Sequence, residues 1–267
     1  MNYLQAIILA VIEGITEFLP ISSTGHMIIA SSWMGIAEDQ FVKNFEVIIQ
    51  FGAILSVLLI YWKKFLPQYK TNWNFYLKLA VAFLPAAIIG FLLKNKVDEL
   101  IGSVLVVAWS LIIGGIILIW SDSAFKHLHT SGKKTDELSF IESFKLGVFQ
   151  CFALCPGVSR SGATILGGLA LGMNKKEAAE FSFFLAVPTL AAATAYKLLK
   201  IYPTIDKTQI DILALGTIIS FFVALLAIKT FINLVGKYGF KYFGYYRIIL
   251  GLIILFINQK NNPGGLQ

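Results

Sequence analysis

Two short stretches of this chain hold residue types that could perform chemistry. The first, EGITEFLPISSTGH at residues 13–26, places two carboxylates, several hydroxyl groups and a histidine inside an apolar N-terminal region. Glu13 and Glu17 are four residues apart, so on a helix they share one face at a spacing of about 5–6 Å. Carboxylates this close repel each other unless a cation lies beside them, either an arginine or a hard divalent ion such as Mg2+ or Ca2+.

The second stretch, PGVSRSGATI at residues 156–165, holds one of the two arginines in the chain. Arg160 lies within an apolar region, where an uncompensated cation is energetically costly. We therefore expect an anionic group beside it, and the acidic pair of the first stretch is the obvious candidate. A structural ion pair that ties the two stretches together is the simplest alternative to a functional site. The other arginine, Arg247, begins the last apolar run and is expected to snorkel to the membrane interface.

More hydroxyl groups surround these charges than a salt bridge requires. In addition to Ser23, they belong to Ser22, Thr24, Ser159, Ser161 and Thr164. Hydroxyls, free backbone N–H groups at helix starts and an arginine fork are together the groups that bind phosphate oxygens. The sequence therefore predicts a phosphate-binding site to which these hydroxyls contribute, and a diphosphate would suit it better than a monophosphate.

His26 lies three residues after Ser23, in the first of the two stretches. Imidazole exchanges protons near neutral pH, so His26 could activate a serine, protonate a leaving phosphate or only hold a hydrogen bond, and we predict an acid–base role. A second tier of polar residues near the starts of two later apolar runs could support this site or cap the helices. They are Glu46, Gln50, Glu180 and Ser182.

The elements that must position these residues are membrane helices. The chain is 57% hydrophobic and 14% charged, with a mean hydropathy of +0.75, whereas a soluble domain is about 25% charged. The net charge of +7 is spread between apolar runs and forms no basic face, which excludes a nucleic-acid surface. A spanning helix requires about 20 consecutive apolar residues, and six runs in this chain come close to that length. They cover residues 45–62, 76–93, 102–120, 181–199, 211–229 and, as the shortest, 243–257.

Two further apolar regions, 4–35 and 140–171, are broken near the middle by proline and glycine. Each arm has roughly 12–16 residues, which is too short to cross a bilayer, so each region is predicted to be a re-entrant hairpin. The order of one hairpin and three spans occurs in residues 4–120 and again in 140–257, with opposite polarity. The sequence thus predicts an all-α polytopic membrane protein, a single integral membrane domain over 1–267, built from two inverted-topology repeats with the site between them.

The positive charges of the connections orient the chain. Fourteen Lys and Arg residues fall on one side of the predicted spans and seven on the other, so the first side should be cytoplasmic. Both termini and the first hairpin then face outward, and the second hairpin enters from the cytoplasm. The charge count thus predicts a multi-pass membrane protein whose first hairpin opens to the outer side.

With both stretches in view, the sequence resembles the bacterial undecaprenyl-diphosphate phosphatase family, also called the bacitracin-resistance family. The resemblance rests on EGITEFLPISSTGH, PGVSRSGATI, FEVIIQFGAIL and EFSFFLAVP. It implies a membrane hydrolase, acting on a phosphoric anhydride, that converts undecaprenyl diphosphate to undecaprenyl phosphate. That activity would recycle the lipid carrier of peptidoglycan and cell-wall synthesis, confer bacitracin resistance and depend on a divalent cation. The resemblance also implies a multi-pass protein of the bacterial cell (inner) membrane whose active site faces the outer, periplasmic side.

Carried over by position, the resemblance implies Glu13 and Glu17 as the acidic, metal-binding pair, Ser23 as nucleophile, His26 as a catalytic residue and Arg160 as the phosphate ligand. Direct attack by water, with the serine only positioning it, stays open. So does a transporter or flippase of a phosphorylated lipid, because inverted repeats with broken helices are common in transporters. The sequence also leaves the oligomeric state open, a homodimer included.

Overall fold

The computed structural model describes residues 1–66, 73–101, 103–129 and 132–261. Apart from one isolated bridge between Lys133 and Met173, regular secondary structure in these ranges is helical. The α-helices of these ranges are α1 (Tyr3–Thr16), α2 (Ser23–Trp33), α3 (Gln40–Ile48), α4 (Gln50–Ile60), α5 (Trp73–Leu92), α6 (Lys94–Ile101), α7 (Val104–Ala124), α8 (Phe140–Cys151), α9 (Arg160–Ala170), α10 (Lys175–Ile201), α11 (Lys207–Tyr238) and α12 (Lys241–Asn261). Lys70, one of the lysines behind the orientation prediction, lies outside the described residues.

Six helical segments within the described ranges are long and apolar enough to cross a membrane, which confirms the six predicted runs. They are Gln40–Ile60, in which α3 and α4 are separated only at Ile49, Trp73–Leu92, Val104–Ala124, Lys175–Ile201, Lys207–Tyr238 and Lys241–Gln259. Several are longer than predicted because a polar first turn also belongs to the helix. The side chains of Asn174 and Asp206, for example, cap the backbone N–H groups of Glu177 at 2.9 Å and Gln209 at 2.8 Å.

Two pairs of short helices coincide with the broken apolar regions. The first helix pair is α1 and α2, and the second is α8 and α9. The segment between the two helices of a pair, residues 17–22 in the first and 152–159 in the second, is called its break. Each second helix begins after a serine in the left-handed region, Ser22 at φ 70° and Ser159 at φ 74°. The Oγ atoms of these serines accept the N–H groups of Gly25 at 3.3 Å and Gly162 at 3.1 Å. A positive φ costs a residue with a side chain about 1–3 kcal/mol, so the same strained N-cap at both breaks requires support from the surrounding structure.

Both helix pairs pack closely against spanning helices. Gly14 of α1 lies so near α11 that a Cβ atom there would approach Ser220 O to 2.9 Å, and Gly147 of α8 is similarly pressed against α5 at Ala82. The two long helices α7 and α12 cross at Gly115 and Gly244, where an added Cβ would lie 2.6–2.7 Å from the opposing carbonyl. Small residues at these crossings let the backbones approach, as is typical of membrane helices.

The prediction that Arg247 snorkels to the interface is wrong. Its side chain is 1% exposed and donates hydrogen bonds to backbone carbonyls inside the helix bundle. The helix begins at Lys241, so Arg247 lies six residues, about 9 Å of helix, inside the span. At that depth the side chain turns inward to carbonyl oxygens, which supply the polar environment that snorkelling would otherwise have found in the interface.

Candidate active site

The breaks of the two helix pairs lie against each other. Arg160, the first residue of α9, donates to Glu17 Oε1 from Nη2 at 3.0 Å and from Nε at 3.4 Å. A second tie joins the breaks through backbone, because Ser161 Oγ donates to Leu19 O at 2.7 Å. The anionic partner that Arg160 was expected to need is therefore Glu17, more than a hundred residues away in the chain.

Glu17 is the centre of the site. It is 6% exposed and lies directly after α1 as its C-cap, and a turn of five residues separates it from Ser23, the first residue of α2. The turn brings Ser23 Oγ to 2.5 Å from Glu17 Oε2, so one carboxylate oxygen accepts the serine hydroxyl and the other accepts the guanidinium. A serine whose O–H donates to a buried carboxylate has the arrangement of a nucleophile beside its base.

Arg160 is held from a second direction as well. Its Nη1 donates to Ser182 O at 3.0 Å, and its guanidinium carbon lies 5.9 Å from the centre of the Phe18 ring. These contacts with Glu17 and Ser182 use three of the five guanidinium N–H groups. Two N–H groups remain directed away from these partners, which is enough for a bidentate contact with a phosphate.

A cavity of about 540 Å3 opens onto these groups. The cavity is lined by residues of the two breaks and by residues of helices α5 and α10. The predicted site residues in its lining are Glu17, Ser22, Ser23, Thr24, Gln50, Ser159 and Arg160. Its other end is marked by Lys94 and the half-exposed Tyr196, whose side chains form a hydrogen bond of 2.9 Å. From Thr189 to Tyr196 the cavity follows seven residues of α10, about 10 Å.

Two of the hydroxyls predicted to bind substrate do not line this cavity. Ser161 is 0% exposed and donates to Leu19 O, and Thr164 Oγ1 contacts Arg160 O at 2.9 Å and Ser182 Oγ at 2.7 Å. Ser161 contacts the segment after α1, and Thr164, one helical turn beyond Arg160, contacts Ser182 of α10, so both hydroxyls are used in packing contacts. The structure thus gives Ser161 and Thr164 supporting positions behind the guanidinium.

The predicted second-tier residues also fall into two groups, those that line or support the cavity and those that lie outside it. Gln50 lines the cavity and Ser182 supports Arg160, whereas Glu180 lies beside Lys176, with 3.9 Å between Oε1 and Nζ, and does not reach the cavity. Glu46 is also outside the lining, and its Oε1 is buried without a hydrogen-bond partner among the described residues.

Glu13 lies one turn before Glu17, directly behind the site. Its side chain is 1% exposed, and its Oε1 has no hydrogen-bond partner in the described part of the chain. Both oxygens of Glu17, in contrast, are engaged by Arg160 and Ser23. Of the acidic pair, Glu13 is therefore the carboxylate with a free buried oxygen.

His26 is directed away from the cavity. Its Nδ1 lies 2.8 Å from Ser22 O and its Nε2 lies 2.6 Å from Tyr246 Oη, while the two rings are parallel within 2°. A carbonyl only accepts, so Nδ1 carries a proton, and in the neutral ring Nε2 accepts from the tyrosine hydroxyl. Tyr246 was not found from the sequence, because one tyrosine among the aromatic residues of α12 carries no local signal.

With the site's geometry known, comparison with other proteins identifies the family. The sequence model described as bacitracin resistance protein BacA matches residues 6–253. This chain belongs to the BacA family. The matched span includes both breaks and the residues of the cavity lining named above.

Relatives of this BacA-family chain match over nearly their whole length. It is 68% identical over 257 residues to the undecaprenyl-diphosphatase of Bdellovibrio bacteriovorus, covering 96% of each chain. It is 52% identical over 266 residues to the undecaprenyl-diphosphatase of Flavobacterium psychrophilum, covering 98% of each. The undecaprenyl-diphosphatase of Aquifex aeolicus is 46% identical over 254 residues, which cover 95% of this chain and 97% of that one.

Proposed function

We propose that this BacA-family chain is a membrane phosphatase that hydrolyses undecaprenyl diphosphate to undecaprenyl phosphate and inorganic phosphate. Its relatives named undecaprenyl-diphosphatase support this function. The observation that carries it is the double use of Glu17, which accepts the Ser23 hydroxyl through one oxygen and the Arg160 guanidinium through the other. In a bacterium, this reaction recycles the lipid carrier of cell-wall synthesis and confers bacitracin resistance.

The two helix pairs are, in this proposal, re-entrant hairpins of two inverted repeats. The longest of their helices, α1, has 14 residues and spans about 21 Å, short of the about 30 Å of a bilayer core. The matching strained serines support the repeat, since Ser22 and Ser159 hold equivalent positions before Ser23 and Arg160. One repeat thus supplies the hydroxyl and the other supplies the guanidinium.

The substrate's prenyl tail stays in lipid, and its diphosphate enters the cavity between the breaks. If the side richer in Lys and Arg is cytoplasmic, the end of the cavity at Lys94 and Tyr196 faces outward. In this proposal the reaction takes place on the outer face of the inner membrane. The apolar helix surfaces around the cavity suit a substrate that never leaves the bilayer.

Ser23 attacks the terminal phosphorus, and a bond forms between its Oγ and that phosphorus. The serine proton passes to Glu17, and the bond from phosphorus to the bridging oxygen breaks, releasing undecaprenyl phosphate. Water then attacks the phosphoserine, inorganic phosphate leaves, and the proton returns from Glu17 to Ser23. Arg160 offers its two remaining N–H groups to the phosphate oxygens as charge develops. Direct attack by water, with Ser23 orienting it, is the competing route.

Glu17 is a better candidate for the base than His26. Neither nitrogen of the His26 ring is available to Ser23, because Nδ1 contacts Ser22 O and Nε2 contacts Tyr246 Oη. The contact between His26 and Ser22 instead steadies the carbonyl of the strained residue that precedes Ser23. We therefore assign proton transfer to Glu17 and a positioning role to His26.

The residues present fit a divalent cation, Mg2+ or Ca2+, that is shared with the substrate. Glu17, which lines the cavity, would hold it together with Glu13, whose buried Oε1 lies outside the lining and has no hydrogen-bond partner among the described residues. No group of three His, Cys, Asp or Glu side chains in the described ranges could hold a metal alone, so the diphosphate would provide further oxygen ligands. When bound, such an ion supplies charge neutralisation to the diphosphate.

Phosphate release from a prenyl diphosphate in detergent, with and without a chelator, tests the function. Wild-type protein is expected to release phosphate, and Arg160→Ala to lower kcat/KM by at least about 100-fold, as the loss of one transition-state donor does. Lys200→Ala, which removes an exposed cation outside the cavity, is the matched control and should be unaffected. Absence of phosphate release from folded wild-type protein would disprove the proposal. Saturable lipid transfer without hydrolysis would favour a transporter or flippase instead.

A further inference from the structure

Arg247 is the largest fully buried side chain among the described residues, and it contacts no carboxylate there. Each of its five N–H groups donates to a backbone carbonyl. Nε donates to Leu111 O at 3.3 Å, Nη1 to Pro20 O and Val158 O at 3.0 Å each, and Nη2 to Ser110 O at 2.9 Å and Gly157 O at 3.0 Å. Arginine has five donors and no acceptor, so the hydrogen-bonding capacity of this guanidinium is fully used.

The carbonyls come from three separate parts of the chain. Pro20 belongs to the break of the first helix pair, Gly157 and Val158 belong to the break of the second, and the other two lie on α7. A broken helix leaves carbonyls without intrahelical partners, and in a membrane water cannot satisfy them. One guanidinium therefore satisfies both breaks at once and ties them to a spanning helix.

The carbonyls of the two breaks lie shortly before the catalytic groups in the chain. Val158 is followed by the strained Ser159 and then by Arg160, while Pro20 lies three residues before Ser23. Arg247 does not line the cavity. It therefore reaches the reacting groups only through the backbone of the two breaks.

The crossing of α7 and α12 leaves room for the buried guanidinium of Arg247. Gly114 on α7 lies against the guanidinium so closely that a Cβ atom there would collide with Nη2. An alanine at this position would displace the guanidinium while leaving its charge and its five donors in the protein. Gly236 on α11 has no atom within 4 Å of an added Cβ and offers the same substitution without a collision.

We propose that Arg247 is a positioning residue for the reaction, which holds the two breaks in register so that Ser23 and Arg160 act on one phosphate. This inference rests on the proposed phosphatase function. A displacement of about 1 Å in a catalytic constellation costs about 100-fold in rate. Lysine at position 247 would keep the charge, but its three donors would leave at least two of the five carbonyls unsatisfied.

The experiment measures kcat and KM for phosphate release from a prenyl diphosphate by folded Arg247→Lys, Gly114→Ala and Gly236→Ala proteins, each checked by thermal unfolding in detergent. We expect Arg247→Lys and Gly114→Ala to lower kcat by about 10- to 100-fold, with KM changed by less than about threefold, and Gly236→Ala to match wild type.

Gly114→Ala keeps the inference testable if substitution of Arg247 prevents folding, because it retains the arginine. A wild-type kcat in either Arg247→Lys or Gly114→Ala would overturn the positioning role. A loss confined to KM would overturn it too, since that would assign Arg247 to substrate binding. If wild-type protein itself releases no phosphate, the proposed function fails and this inference fails with it. A failure of the inference alone leaves wild-type turnover intact.

Discussion

Glu17 and Ser23 should behave as one catalytic unit, and a double-mutant cycle tests this directly. The perturbations are Glu17→Gln, Ser23→Ala and the two combined. Glutamine keeps the size of the side chain but cannot take a proton, so the 2.5 Å contact from Ser23 Oγ would no longer join a nucleophile to its base. Alanine removes the nucleophile from the same contact.

The magnitude follows from the role assigned to each group. A positioned general base contributes about 10²–10⁴-fold to the rate, so Glu17→Gln should lower kcat by at least about 100-fold. Two independent losses of this size would multiply to about 10⁴-fold or more. If Glu17 acts through Ser23, the double variant should instead fall within about tenfold of the slower single variant, because the second change removes nothing that is still in use.

The assay is phosphate release at saturating prenyl diphosphate, with thermal unfolding of each variant measured in parallel. The second measurement is needed because Arg160, with 10% of its side chain exposed, loses its counter-ion in Glu17→Gln, and breaking a buried ion pair costs about 3–5 kcal/mol. Glu180→Gln, a carboxylate outside the cavity, controls for the loss of a membrane glutamate. Losses that multiply in the double variant, or a Glu17→Gln enzyme with nearly wild-type kcat, would refute the reasoning.

Two further predictions concern the supports of the site. Tyr246→Phe removes the hydroxyl 2.6 Å from His26 Nε2 and should lower kcat about two- to tenfold, the worth of one hydrogen bond; unchanged kinetics would show that the imidazole needs no such partner. Gly157→Ala should lower the Tm more than Gly35→Ala, because both glycines have positive φ but only at Gly157 would the added Cβ collide, 2.7 Å from Val107 O. Thermal unfolding of the two proteins in detergent measures this, and equal Tm values would contradict it.

Local features of the chain were sufficient to predict its membrane helices and its breaks. A spanning helix requires about 20 apolar residues in succession, and proline and glycine interrupt a helix wherever they fall, so both signals are contained in short windows. The need of Arg160 for an anion followed in the same way, from the cost of a lone cation in an apolar region. What remained open was which of Glu13 and Glu17 it would contact.

The direction in which each side chain points was harder to predict from the sequence. Ser161 and Thr164 were expected to bind substrate, but their hydroxyls contact Leu19 and Ser182. His26 was predicted to have an acid–base role, but its Nε2 contacts Tyr246. A helix at a protein surface in water reveals its inner face by polarity. In a membrane the lipid side and the protein side are both apolar, so that signal is weak and packing decides the faces.

The sequence by itself determined the class of this protein, the six spans, the two breaks and the residue types gathered at them, because hydropathy, helix length and the cost of buried charge are local properties. Only the tertiary structure decided that Glu17 contacts Ser23 and Arg160 together and that Arg247 binds five carbonyls, one of them 227 residues away in the chain. Those contacts depend on how glycine-lined helices cross, and a crossing is set by the shapes of two surfaces that no single stretch of sequence contains.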